Sequence, residues 1–284
     1  MKQLTQTVLS FINTASSLVA WCFRQTIHGL WTYGKIQKSE YNKTIRIIAN
    51  SPSLNEELEQ MDMSVQSDYC MVNDSMTTPL FRKFRPTRFI LADPLYFNRD
   101  LEGDNNPRIE AFKKCDWLMQ LYVPKSVVSI TKDRLRECKS ITIHTLPSSL
   151  PKSVSFVSVR NFFYRRGMAC PIIQNVVVGA IYSSIMSGYK NIELYGVGHT
   201  WTTQLAVNEL NQVCLSDVHY YDLNAPMQPW ITVEGEPYRM HTVLRDLAQM
   251  FDSYWELREF ANTLSGVLII NKTRGSFIDA FVKG

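Results

Sequence analysis

Short apolar runs, each closed by polar turn formers, alternate along this chain with stretches of helical periodicity. Ile45, Ile47 and Ile48 make the first run, which ends at Asn50-Ser51-Pro52-Ser53. Cys70-Met71-Val72 ends at Asn73-Asp74-Ser75, and the run 88–91 ends at Ala92-Asp93-Pro94. Residues 127–130, 140–143, 191–195 and 267–270 read as further strands. Helices are predicted over 55–61, 109–117 and 241–264, with another beginning at Ser276. The 241–264 segment puts Leu244, Leu247, Ala248, Phe251, Trp255, Phe260 and Leu264 on its buried face.

The most organised stretch is 172–201. Asn175 is a favoured N-cap, and Gly179, Ala180, Ser183, Ser184 and Ser187 give the following helix a small-residue surface that can lie close to a sheet. Gly188 suits its C-terminus. The strand 191–195 is then broken by Gly196-Val197-Gly198, which leaves His199, Thr200 and Trp201 just past its carboxyl end. Open α/β sheets bind their ligands there.

Three early strands end in Asn50, Asn73 and Asp93, which suggests one nucleotide cleft along a sheet edge, although Asn and Asp are also plain turn formers. The turn 50–53 before a helix offers free amides to a phosphate. It is neither a G-x-G-x-x-G nor a P-loop sequence. Residues 205–207 and 213–215 form a hairpin around the turn 208–211. His219 follows, flanked by Asp217, Tyr220, Tyr221 and Asp222, a setting that suits a general base. Residues 160–166 mix arginines with aromatics, as either an anion clamp or a snorkelling surface helix.

With 284 residues, 45% of them hydrophobic and 20% charged, the chain is globular. A net charge of +4 is too mild to argue for nucleic acid, and it suits an anionic ligand or a membrane surface. Six scattered cysteines without a C-x-x-C give neither a zinc site nor a disulfide framework, which fits a reducing cytosol. Residues 3–23 carry no charge, and Leu4, Val8, Phe11, Ile12, Ala15, Leu18, Val19 and Cys22 share helical spacing. The segment is too polar for a spanning helix. With Trp21, Arg24, Trp31, Tyr33, Lys35 and Lys38 it reads as an interfacial membrane anchor over about residues 3–33. The alternative is a helix packed on the domain's own core or on a second subunit of a homo-oligomer.

The turn Asn50-Ser51-Pro52-Ser53-Leu54, Asn73, Asp93-Pro94, Asn175, Gly188-Tyr189-Lys190, Gly196 and His219-Tyr220 together resemble the bacterial sialyltransferases that use CMP-activated sugars. The resemblance covers about residues 45–281. Ala49 and Ser51 stand where that family has glycines, and Asp93 stands where it has a third asparagine. Gly196-Val197-Gly198-His199-Thr200-Trp201 is closer to the capsule and O-antigen polysaccharide enzymes, with Gly198 in place of an aspartate. The wider group is similar to the hydroxymethylpterin diphosphokinases.

The resemblance implies a Rossmann-like α/β fold, a mostly parallel sheet flanked by helices, with an N-terminal helical extension over 1–43 and a nucleotide-sugar-binding domain over 44–284. It implies a glycosyltransferase that moves a sialic-acid-like or other CMP-activated acidic sugar to a cell-surface glycan at the cytoplasmic face of the inner membrane. His219, or His199, is the expected base, with Asp93 a further catalytic candidate. Asn50, Ser51, Pro52, Ser53, Asn73, Asn175, Gly196, Tyr220 and Tyr221 are the expected nucleotide-binding residues, and Tyr220 or Tyr221 would steady the leaving phosphate. No obligatory cofactor or metal is expected, since the chain has no Asp-x-Asp. The other two readings are pyrophosphoryl transfer from ATP with Mg²⁺ to a hydroxymethyl compound, and a non-catalytic subunit of polysaccharide assembly.

Overall fold

The computed structural model describes residues 2–32, 44–94, 96, 106–232 and 235–284. Tyr33, Lys35, Lys38 and most of the polar loop 98–107 lie outside the described residues. In chain order the elements are α1 (Lys2–Ile27), β1 (Thr44–Ile48), α2 (Leu54–Glu59), β2 (Ser67–Val72), α3 (Pro79–Phe84), β3 (Arg88–Ile90), α4 (Pro107–Lys113), β4 (Met119–Pro124), α5 (Val128–Arg134), β5 (Ile141–Leu146) and α6 (Val157–Arg165). They continue with α7 (Val176–Met186), β6 (Asn191–Tyr195), β7 (Leu205–Val207), β8 (Val213–Leu215), β9 (Gln228–Pro229), α8 (Met240–Asn262), β10 (Leu268–Asn271) and β11 (Val282–Lys283).

Eight strands form one sheet in the order β11-β10-β6-β1-β2-β3-β4-β5, and every pairing in it is parallel. This is the Rossmann-like sheet that the apolar runs predict. Strands of a parallel sheet are covered on both faces and read as near-continuous apolar runs. Alternate side chains then enter two cores. Ile45, Ile47, Cys70, Val72 and Ile90 face one, with α7 and α8. Ile48, Met71, Phe89 and Leu121 face the other. The hairpin β7–β8 and the short β9 form a separate antiparallel sheet.

The small residues of α7 do what their size predicts. Every residue from Val176 to Ile185 is buried. The hydroxyls of Ser183, Ser184 and Ser187 bond back to the carbonyls of Ala180, Ala180 and Ser183, so a serine-bearing helix buries no unmatched hydroxyl. Asn175 caps it, accepting from the Val177 amide at 2.9 Å. Gly188, at φ 89°, closes it.

Four expectations need correction. Residues 127–130 are helical, in α5 and the turn before it, because Val127 and Thr131 are buried at helical spacing. The strand there is β4, which runs into Pro124. Helix 109–117 is the shorter α4, since the chain must turn at Lys114 to enter β4. No helix starts at Ser276, and the chain ends on the edge strand β11. The buried face of α8 is rotated: Val243, Met250, Tyr254 and Leu257 point inward, whereas Leu244 and Trp255 are exposed.

α1 packs on the body of the protein through its less apolar side. Trp21 is buried, donates to the Ser149 carbonyl at 2.9 Å, and meets Trp31 and Phe163 edge-on. Thr14 donates to the Ser153 carbonyl. Val8, Phe11, Ile12, Val19 and Phe23 of the same helix are exposed. Among the described residues no helix is long and apolar enough to cross a membrane.

Candidate active site

The chain leaves β1 for β2 and moves outward to β5, then returns to β6 on the other side of β1. The crevice at the carboxyl ends of β1 and β6 is therefore the topological switch point. A cleft of about 540 Å³, counting space open to solvent, lies there. It is lined by Asn50, Ser51 and Pro52 after β1, Asn73 after β2, Asn175 to Val177 at the start of α7, and Gly196 and Gly198 to Trp201 after β6. His219 closes it from the loop beyond β8.

Close packing at the switch point explains its glycines. Gly196 has φ 67°, and a Cβ there would stand 2.7 Å from the Ala49 carbonyl oxygen. Its carbonyl accepts from the Ser51 amide at 2.9 Å, and its amide donates to Glu57 Oε2 at 2.6 Å. Glu57 Oε1 accepts from Ser53, whose hydroxyl is 2.9 Å from that of Ser51. A buried carboxylate thus ties the β1 turn to the β6 exit. Ser51 and Gly198, the two unusual positions, are neighbours: a Cβ at 198 would lie 3.2 Å from the Ser51 Cβ. A side chain at 198 would therefore crowd Ser51 on the cleft floor.

The turn 50–53 is a weaker phosphate cradle than its sequence suggests. The Ser51 amide is committed to Gly196, and Pro52 has none. α2 is only 6 residues long, with Glu56 and Glu57 in its first turn. Those acids oppose an anion at its start. The longer α7 instead brings its N-terminus to the cleft wall at Val176, the next amide, Val177, being taken by the Asn175 cap. Asn50 is buried, and its Oδ1 has no hydrogen-bond partner among the described residues. Such an atom calls for an explanation, and here it lines the cleft.

The two histidines differ in kind. His219 Nε2 lies 3.4 Å from Asp217 Oδ2. This contact raises the histidine's pKa, opposed by partial burial and helped by the Asn50 carbonyl and by the charge of Asp74. Asp217 is held below its ordinary range, first by His219 and further by the Trp201 side chain. Asp222, the other flanking acid, meets His219 only through the backbone. His199 is buried at φ 56°. Its Nε2 is 2.5 Å from the Tyr254 hydroxyl, and its ring lies 4.7 Å from that of Trp201. Burial drives its pKa down to about 3.

The remaining expected residues lie outside the cleft lining. Asp93 is exposed, because β3 stands two places from β1 in the sheet and its end is away from the switch point. Ser53 faces Glu57. Tyr220 is buried, its hydroxyl donating to Thr78 at 2.8 Å and its amide to the Asn50 carbonyl, so it holds the loop. Tyr221 packs against the His219 ring at 5.1 Å. The arginines of 160–166 serve the surface: Arg160 pairs with Glu259, Arg165 reaches the Thr263 carbonyl, and Arg166 covers the Phe162 ring. Glu57 and Tyr254 are site residues that the sequence does not single out, whereas Asp217 is legible there as an acid flanking His219. For Asp217 the i, i+2 spacing to a loop histidine is the available signal.

No protein-family model matches the chain, and no curated protein matches it. Among solved structures it is similar to the sialyltransferase CstII from Campylobacter jejuni in complex with cytidine-5′-monophosphate. The identity is 11%, each chain is covered over 86%, and the TM-score is 0.43. A complex of the same enzyme with CMP-3FNeuAc gives 13% identity over 85% of this chain and 84% of that one, at a TM-score of 0.40. The functional reading therefore rests on the site itself.

Proposed function

We propose that the chain is a glycosyltransferase that passes a sugar from a CMP-activated donor to a hydroxyl of a cell-surface glycan. The observation that carries this reading is His219 in the switch-point cleft, which Asn50, Asn73 and Asn175 also line, with Asp217 paired to it from behind. Those groups can bind a polar donor and take one proton. In the reaction the acceptor oxygen attacks the anomeric carbon, the bond from that carbon to the CMP phosphate oxygen breaks, and the hydroxyl proton passes to His219. The departing phosphate draws its stabilisation from the amide end of α7. His199 stays neutral and shapes the wall. The sequence resemblance to CMP-sugar enzymes supports the choice of donor class.

A thermal-shift series against CMP, CDP, UDP, GDP and ATP with Mg²⁺ tests the donor class. CMP is expected to stabilise the protein, by about 2.7 kcal/mol at a hundredfold excess over Kd. Asn50→Ala is expected to weaken CMP binding by about 1–3 kcal/mol. Without ligand it costs little, because Oδ1 has no partner to lose. Stabilisation by ATP alone would transfer the reading to pyrophosphoryl transfer, and no response to any nucleotide would leave the non-catalytic subunit.

The exposed apolar residues of α1 are proposed to hold the enzyme at the cytoplasmic face of the inner membrane, the supporting observation being Phe11 and Phe23 at the surface. Full-length protein should co-float with anionic phospholipid vesicles, and the Phe11→Ser/Phe23→Ser double variant should not. Equal flotation of the two would remove the anchor.

A further inference from the structure

A second pocket adjoins the cleft and shares Asn175 and Trp201 with it. The His219–Asp217 pair spans the boundary, with His219 lining the first pocket and Asp217 the second. This second pocket has a volume of about 720 Å³, counting space open to solvent. Its walls carry two half-buried aromatic rings, Trp230 and Tyr238, with centroids 5.2 Å apart and tilted at 49°. Trp230, Tyr238, Gln174 and Asp246 all line it, and the indole N–H, hydroxyl, amide and carboxylate that they carry have no hydrogen bond to a described residue. Leu215, Val243 and Leu247 supply the apolar floor.

We infer that this pocket is a saccharide subsite, in which a sugar ring stacks on Trp230 and Tyr238 while its hydroxyls bond to Asp246 and Gln174. The inference rests on the transferase reading and extends it. The chemistry selects the ligand class. A sugar offers an apolar C–H face together with hydroxyls that both give and take hydrogen bonds, and the free groups here include donors as well as acceptors. An ammonium ligand needs rings and acceptors only, and the indole N–H and amide N–H of this pocket would go unmet. A nucleobase is less suited, since the rings are tilted rather than parallel. Through Asp217, a sugar in this pocket lies beside the base of the adjoining cleft.

Ligand-observed NMR titrations separate the two sources of such a sugar. Lactose, maltose and cellobiose probe an acceptor, CMP alone probes the cleft, and CMP-N-acetylneuraminic acid probes a donor sugar. At least one disaccharide is expected to bind without nucleotide, or the CMP-sugar to bind more tightly than CMP. Asp246→Asn and Tyr238→Phe keep shape and volume, and each is expected to weaken that sugar-dependent binding about tenfold. Trp230→Ala should abolish it, and all three should leave CMP affinity unchanged. Disaccharide binding lost in the variants marks an acceptor subsite, and loss of only the CMP-sugar advantage marks a donor subsite. The inference is overturned if CMP binds but no sugar adds affinity, if sugar binding ignores all three substitutions, or if choline occupies the pocket and sugars do not. Failure of CMP itself to bind would instead fall on the transferase reading.

Discussion

Replacing His219 by alanine is expected to lower kcat by about 10²–10⁴-fold while CMP affinity barely moves. The reason is its position: the ring is in the cleft, and its Nε2 is held by Asp217 at 3.4 Å. Because Asp217 raises the pKa of His219, the unprotonated base forms only as pH climbs above the ordinary histidine value of about 6.5. Turnover should therefore rise with pH along a limb displaced upward from that value. Asp217→Asn removes the charge and most of the hydrogen bonding that cause the displacement, so the limb should move back down even as the maximal rate falls from lost orientation. A merely structural Asp217 would change the rate and leave the limb in place. An unchanged kcat in His219→Ala with any CMP-sugar would remove the base from the proposed mechanism.

What the sequence reveals and what it conceals follow from the same physics. Parallel strands buried on both faces write themselves as apolar runs, and their polar ends mark the carboxyl edge of the sheet, so Asn50, Asn73 and Gly196 are legible from the order of residues alone, whereas Asn175 reads there as a helix cap and becomes a nucleotide candidate only through the family resemblance. Strand order is not written locally. Asp93 closes its strand as Asn73 does, yet β3 lies one strand further from the switch point than β2. The buried face of α8 is ambiguous in sequence because apolar residues fall on more than one side of that helix. Tertiary contact settles the choice, and Tyr254 turns inward toward His199. Glu57 is invisible as a site residue because its partner Gly196 is 139 positions away. That Ser51 and Gly198 are spatial neighbours, so close that a Cβ at 198 would stand 3.2 Å from the Ser51 Cβ, is likewise hidden in the sequence.

Acid is expected to weaken this protein through His199 more than through any exposed group. His199 is buried, and its pKa is driven down to about 3 by that burial. In the unfolded chain the same imidazole titrates near 6.5. Between those two values the unfolded state binds a proton that the folded state refuses. Stability is then present above about pH 6.5 and is lost as pH falls, at up to about 1.4 kcal/mol per pH unit. His219 has the opposite sign, since its raised pKa favours the folded state at low pH and loses that contribution as pH rises through the folded value. Urea unfolding at pH 7.5 and pH 5.0 measures the difference. The native protein should lose about 2 kcal/mol from His199 across that interval. His199→Asn is the informative variant, because asparagine accepts the φ of 56° at this position. It should be less stable at pH 7.5, having given up the 2.5 Å contact to Tyr254, and should show a much flatter decline toward pH 5.0. Equal declines in the two proteins would mean that His199 accepts its proton in the folded state, and the neutral wall assigned to it would then become a charged one beside the cleft.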